Sequence, residues 1–316
     1  MISLCIESSH QKGMGHLFRA LNLIACLQQR RERFIVLINR DKAANSILEN
    51  KGIDYEIVDL LDFTSDWETS LIKKHHIDMW INDRLDTDIR HTKQVTKNNV
   101  KLITFDDKGT GAIFADIHVA AMLLNDNDRS KINGKKILTG IEYLVLNKEI
   151  DNYKRIRNRH DKIIITLGGS DTYGVTLEVV RRLKKLNKTA AIVIGPSFAH
   201  KKELAAIIDD RFTLKENVHS LIQEFAGYDL AVTGGGITPF EANASGLPCM
   251  IIASEIWEID NGTFLDRLGA SVFTGFRDSF KLDLIDNDLI IEKMSAIGMQ
   301  NISTNAAEKI FKEIDA

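Results

Sequence analysis

The stretch DLAVTGGGITPFEANASGLPCMIIA, residues 229–253, decides the fold. It begins in a short apolar run, meets three glycines, continues as an amphipathic segment, turns at 245–248 and ends in a second apolar run. Strand, glycine loop, helix, turn, strand is the order of a βαβ unit. Apolar runs this short and this continuous suit parallel strands buried on both faces. Gly234, Gly235 and Gly236 together carry a large entropic cost that a plain turn does not require. Backbone amides brought close to an anion account for them better. Thr238 is placed to cap the helix, with Pro239 at its first position. Glu241 then falls in the first turn, near any diphosphate or ribose held by the loop.

Working outward, the same layout precedes it. IIITLGGSD (163–171) is a strand and glycine loop, TLEVVRRLKKLN (176–187) a helix and TAAIVIGP (189–196) a strand. HKKELAAII (200–208) is helical, FTLKEN (212–217) extended and VHSLIQEFAGY (218–228) helical. A polar, basic stretch at 147–162 separates these from an earlier series. There ISLCIE, RFIVLIN, DYEIVDL, IDMWIND, VKLITFDD and DIHVAAM read as strands between helices, the first helix spanning about His16 to Arg31. The closing NAAEKIFKEIDA (305–316) reads as a surface helix. The expected architecture is α/β: two Rossmann-like domains, near 1–150 and 160–316, with parallel sheets facing a central cleft.

Composition narrows the function. A length of 316 residues suits two domains, and 44% hydrophobic with 27% charged residues is ordinary for a globular chain. A net charge of −3 gives no support for nucleic acid or anionic lipid as partner. Cys5, Cys26 and Cys249 lie in apolar surroundings without metal-site spacing, which fits reduced thiols in the cytoplasm. The sequence has no leader pattern and no apolar run long enough to span a membrane. A P-loop, a full dinucleotide fingerprint and a serine nucleophile elbow are also missing.

Three further loops could carry chemistry. In GMGHLFRALNLIACL (13–27), Gly13 and Gly15 let the backbone turn sharply at a strand end, and His16 opens a helix. The positive end of the helix dipole favours neutral imidazole, which suits a general base; a helix cap is the plainer reading. Arg19 shares the helical face of His16. In LGGSDTYGVT (167–176), Gly168, Gly169 and Ser170 could bind phosphate, or Asp171 could simply cap a helix. In FDDKG (105–109), Asp106 and Asp107 end a strand and form either a turn or a contact to sugar hydroxyls. Asp86-Thr87-Asp88 looks like a metal-holding carboxylate pair, but a helix cap explains it better.

Taken together, GMGHLFRALNLIACL, FDDKG, LGGSD and DLAVTGGGITPFEANASGLPCMII resemble one branch of the GT-B superfamily. That branch holds the UDP-sugar hydrolase of pseudaminic acid synthesis and the related spore-coat polysaccharide proteins. The resemblance spans roughly residues 1–275. It implies a nucleoside diphosphate, UDP by preference, held mainly by the second domain through Gly168, Gly169, Ser170, Gly235, Gly236, Ile237, Thr238 and Glu241, with Gly13 and Gly15 of the first domain also at the diphosphate. His16 would be the catalytic base, directing water to the anomeric carbon with inversion. No metal or cofactor is implied. Arg19, Arg84, Asp106, Asp107 and Asn261 would lie near the sugar. Two departures stand out. Arg84 replaces the tyrosine of an Asp-His-Tyr segment, which would suit an acidic sugar, and Asn261-Gly262 stands where Asn-Gln is frequent. The expected activity is release of a deoxyamino or acidic sugar from its nucleotide in surface-glycan synthesis, beside other enzymes of such a pathway. A glycosyltransferase using the same site and a non-catalytic binding protein are the alternatives.

Overall fold

A computed structural model of the chain describes residues 1–8, 14–122, 132–195, 197–283 and 290–316. They form two compact units, Met1–Leu146 with Asn305–Ala316, and Asn147–Thr304.

The first unit runs β1 (Ile2–Ile6), α1 (Gly15–Gln29), β2 (Phe34–Ile38), α2 (Lys42–Asn50), β3 (Tyr55–Ile57) and α3 (Trp67–His75). It continues with β4 (Met79–Asp83), α4 (Ile89–Thr96), β5 (Lys101–Phe105), β6 (Ile117–Ala120) and β7 (Lys136–Thr139). Its sheet has the order β3-β2-β1-β4-β5-β6-β7, and every pairing is parallel. The central strands β1, β2 and β5 are largely apolar runs because both faces are covered. Alternate residues therefore face different cores: Leu4, Ile6, Ile81 and Ile103 pack with α1, whereas Cys5, Trp80 and Leu102 pack with Ile72 and Val95 of α3 and α4. Helix α1 buries Leu17, Ala20, Leu23, Ile24 and Leu27, the spacing of one helical face. Strand β7 was not legible in the sequence.

The second unit runs β8 (Ile163–Thr166), α5 (Val175–Lys185), β9 (Ala190–Ile194), α6 (Lys201–Ile207), β10 (Phe212–Glu216) and α7 (Leu221–Phe225). Then come β11 (Leu230–Gly234), α8 (Thr238–Ala244), β12 (Cys249–Ala253), α9 (Glu258–Leu268), β13 (Val272–Phe276) and α10 (Ile291–Asn301). The sheet order is β10-β9-β8-β11-β12-β13, again parallel throughout. Helix α7 is shorter than its sequence pattern: Ser220 caps it by accepting from the Gln223 amide at 3.2 Å, so residues 218–220 stay outside.

Two boundaries differ from expectation. The last helix, α11 (Ala306–Asp315), belongs to the first unit and not to a domain spanning 160–316. Its Ile310, Phe311 and Ile314 join the α1 core, and Asp315 pairs with Arg30 at 2.7 Å. An amphipathic pattern shows that a helix buries one face but not what it is buried against. The basic stretch 147–162 is likewise no free linker. Arg157 within it is fully buried and donates to the carbonyls of Arg155 at 2.9 Å, Phe225 at 3.0 Å and Ser245.

Candidate active site

In a doubly wound sheet, ligands bind at the carboxyl ends of the strands where the strand order reverses. In the first unit this is the β1/β4 boundary, and in the second the β8/β11 boundary.

At the first boundary, α1 starts immediately after the β1 loop, with no side-chain cap and no acidic residue in its first turn. His16 is therefore not a cap. Its Nδ1 lies 2.6 Å from Oδ1 of Asp83, the last residue of β4. The register Ile6 to Asp83 places that carboxylate beside the end of β1 and under the first turn of α1. Arg19, one turn on, donates from Nε to Asp83 Oδ2 at 2.8 Å and from Nη2 to Oδ1 at 2.5 Å. Its Nη1 donates to Asp106, which follows β5, and its guanidinium lies 5.2 Å above the Phe105 ring. Asp83 is buried, which alone would raise its pKa; the Arg19 charge, with hydrogen bonds from Arg19 and His16, outweighs burial and holds it below the usual carboxylate range. An ionised Asp83 can only accept, so His16 Nδ1 carries the proton and a neutral ring keeps its lone pair on Nε2. Burial would likewise disfavour charge on Arg19, but Asp83 and Asp106 more than offset it.

Of the residues in this cluster, Asp83 is the one that the sequence reading did not single out. Its signal was position alone, the last residue of a strand run adjacent to β1. Arg84, the neighbour expected at the sugar, is instead 3% exposed and hydrogen-bonds to the Leu60 carbonyl at 3.4 Å. It shares its surroundings with Cys5 and His91, so strand alternation turns it away from His16. Asp107 is also taken up by structure: it accepts from the amides of Thr87 at 3.0 Å and Gly109 at 2.9 Å and from Thr104 Oγ1 at 2.9 Å. Asp88 caps α4, accepting from the Arg90 amide at 2.8 Å. Gly15 is exposed with open space at its Cα; Gly13 lies outside the described residues.

At the second boundary, Gly234 ends β11 and α8 starts at Thr238. Thr238 is thus inside the helix and does not cap it; Ile237 holds that position, and no side chain satisfies the first amides. Gly235 is buried against α9: a Cβ there would stand 2.6 Å from the Glu258 Cβ and 2.7 Å from its carbonyl oxygen. Asn261 is buried and donates to the Gly235 carbonyl at 2.8 Å, so it braces the loop and is not presented to a sugar. Gly262 has a packing reason too, since a side chain would strike the Phe273 ring. Glu258 accepts from the Ser254 amide at 2.6 Å and so fixes the turn that supports the loop. Glu241, in the first turn of α8, has no hydrogen-bond or ion-pair partner among the described residues. Burial pushes its carboxyl up to about 7.

The β8 loop divides its roles. Asp171 accepts from the amides of Val175 at 2.9 Å and Thr176 at 2.8 Å, which closes the start of α5 to any other anion. Gly168, Gly169 and Ser170 remain exposed ahead of it. Tyr173 donates to Glu255 at 2.8 Å, joining this loop to the one after β12. Two open grooves, of about 550 Å³ beside Lys215 and Tyr228 and about 410 Å³ beside Asp62 and Trp67, share no residue with either boundary.

Two parallel-sheet Rossmann-like units with these strand orders define the GT-B fold class, and solved structures of that class match along the whole chain. MurG of Acinetobacter baumannii superposes with a TM-score of 0.71 at 14% identity, covering 99% of both chains. Anabaena HepE, solved with UDP and glucose, gives 0.69 at 14% identity, covering 100% of this chain and 99% of that one. Among curated sequences, an uncharacterized protein of Methanocaldococcus jannaschii is 25% identical over 92% of this chain, which spans 64% of that protein's length. The spore coat polysaccharide biosynthesis protein SpsG of Bacillus subtilis is 21% identical over 94% of this chain and 88% of its own length. No family model matches. Among the described residues, no helix is long and apolar enough to cross a membrane.

Proposed function

We propose that the protein is a sugar-transferring enzyme that takes a nucleoside diphosphate sugar, a UDP-sugar first, and passes the sugar to an acceptor hydroxyl. The observation that carries this reading is His16, with Nδ1 committed to Asp83 and Nε2 left as a base. The second unit would hold the nucleotide: the braced Gly235–Gly236 loop and the exposed Gly168, Gly169 and Ser170 offer amides to the diphosphate, and Glu241 offers acceptor oxygens to ribose hydroxyls. The acceptor O–H gives its proton to His16 Nε2 as its oxygen bonds to the anomeric carbon. The bond from that carbon to the diphosphate breaks, its electron pair leaves with the diphosphate, and one displacement inverts the configuration. Amides at the loop stabilise the departing charge. The likeness to HepE, solved with UDP and glucose, supports a UDP-sugar as the donor.

Water as the acceptor is the second reading. It is favoured by the four sequence motifs that resemble the UDP-sugar hydrolase, and it would release a free sugar by the same displacement. Nucleotide release from a panel of UDP-, GDP- and CMP-sugars, with and without added hydroxyl acceptors, separates the two. Release only with an acceptor and lost in His16→Ala establishes transfer. His16-dependent release without acceptor establishes hydrolysis. Release that survives His16→Ala removes the histidine from both.

A further inference from the structure

We propose that Asp106 is a positioning residue: through Arg19 it fixes Asp83 beneath His16 and replaces the negative charge that Arg19 withdraws from that carboxylate. This rests on the reading of His16 as the base. The Arg19 fork occupies both Asp83 oxygens, Nε on Oδ2 at 2.8 Å and Nη2 on Oδ1 at 2.5 Å. A forked guanidinium–carboxylate pair is electrically neutral. If it stood alone, a proton arriving on His16 would create an uncompensated charge in a site where the His16, Arg19 and Asp83 side chains are 17%, 15% and 1% exposed. With Asp106 on Arg19 Nη1, the four groups carry one net negative charge when the ring is neutral and none when it is protonated. The arrangement therefore leaves no uncompensated positive charge in this partly buried site once a proton has been transferred.

The backbone supports this assignment. Asp106 sits at φ +48°, a left-handed conformation that non-glycine residues seldom adopt. It is held there by its amide, which donates to the Val119 carbonyl at 2.9 Å. The adjacent Asp107 does the loop's hydrogen bonding, so closing the turn does not require the Asp106 carboxylate. The charged groups that contact His16, directly or through Arg19, are Arg19 of α1, Asp83 of β4 and Asp106 after β5.

Asp106→Asn tests it, since the amide keeps an oxygen for Arg19 and loses only the charge. Two readouts apply. The first is the low-field resonance of the His16 Nδ1 proton in the free protein, assigned with labelled histidine and by its loss in Asp83→Asn. The second is turnover against pH on whichever substrate proves active. We expect Asp106→Asn to move that resonance, to lower kcat about 10- to 100-fold with KM within twofold, and to alter how kcat depends on pH. An unmoved resonance in a folded Asp106→Asn protein overturns the proposal, whatever the enzyme's reaction. A rise in KM at unchanged kcat also overturns it and makes Asp106 a sugar contact. If no turnover depends on His16, the reading of the base fails, and the resonance still decides whether Asp106 sets the pair.

Discussion

Replacing Glu241 by glutamine isolates the consequence of placing a carboxyl in the first turn of α8 without a partner. Burial raises its pKa from an ordinary 4.5 to about 7. A carboxyl that binds its proton more tightly in the folded state gives stability that is full below about pH 4.5 and lost as pH rises through 7. At about 1.4 kcal/mol per pH unit, the 2.5-unit interval corresponds to about 3 kcal/mol by pH 8. Glutamine keeps the shape and never ionises. Glu241→Gln should therefore match wild type near pH 4.5 and exceed it by about 2–3 kcal/mol at pH 8, the lower value allowing for partial exposure. Urea unfolding followed by circular dichroism at both pH values, with the difference taken between proteins, cancels the other carboxylates. Equal differences at the two pH values, or a variant less stable at pH 8, would refute the claim that Glu241 is desolvated and unpaired. The same substitution should weaken UDP-sugar binding, because a ribose hydroxyl loses a charged acceptor; calorimetry at pH 8 checks this.

Other variants follow from the same contacts. Asp83→Asn presents an amide to His16 Nδ1, which favours the wrong tautomer; turnover should fall about 10²- to 10⁴-fold with nucleotide affinity unchanged. Gly235→Ala forces a Cβ onto the Glu258 backbone, so UDP binding by calorimetry should weaken at least tenfold and the melting temperature should drop. Arg157→Ala removes the buried side chain that ties the Phe225 and Ser245 carbonyls together and leaves a cavity, and should destabilise the second unit by about 2–4 kcal/mol in urea. Phe311→Ala opens a cavity between α11 and α1, at about 3–5 kcal/mol, read from the unfolding of the first unit.

The sheets were legible because parallel strands buried on both faces leave unbroken apolar runs such as ISLCI and CMIIA. Strand β7 escaped because KILT sits at a sheet edge with only Leu138 buried, so it leaves no such run. His16 and the glycine loop were legible because histidine and three glycines are costly at those places and announce themselves locally. Asp83 was not, because its partner lies 67 residues away and the contact exists only once β1 and β4 are neighbours. Arg84 and Asn261 were expected beside a sugar, and the structure buries both. Each lies next to a position that matters, yet the side a residue faces on a strand or helix decides its role, and here both face inward.

The return of α11 to the first unit also sets an order of events during synthesis. Residues 147–304 are made between the two parts of that unit, and at about 5–20 residues per second this takes ~10–30 s. Throughout that interval the face of α1 that later receives Ile310, Phe311 and Ile314 has no cover from its own chain. The second unit, continuous in sequence, can finish first, while the half bearing His16 is complete only when α11 arrives.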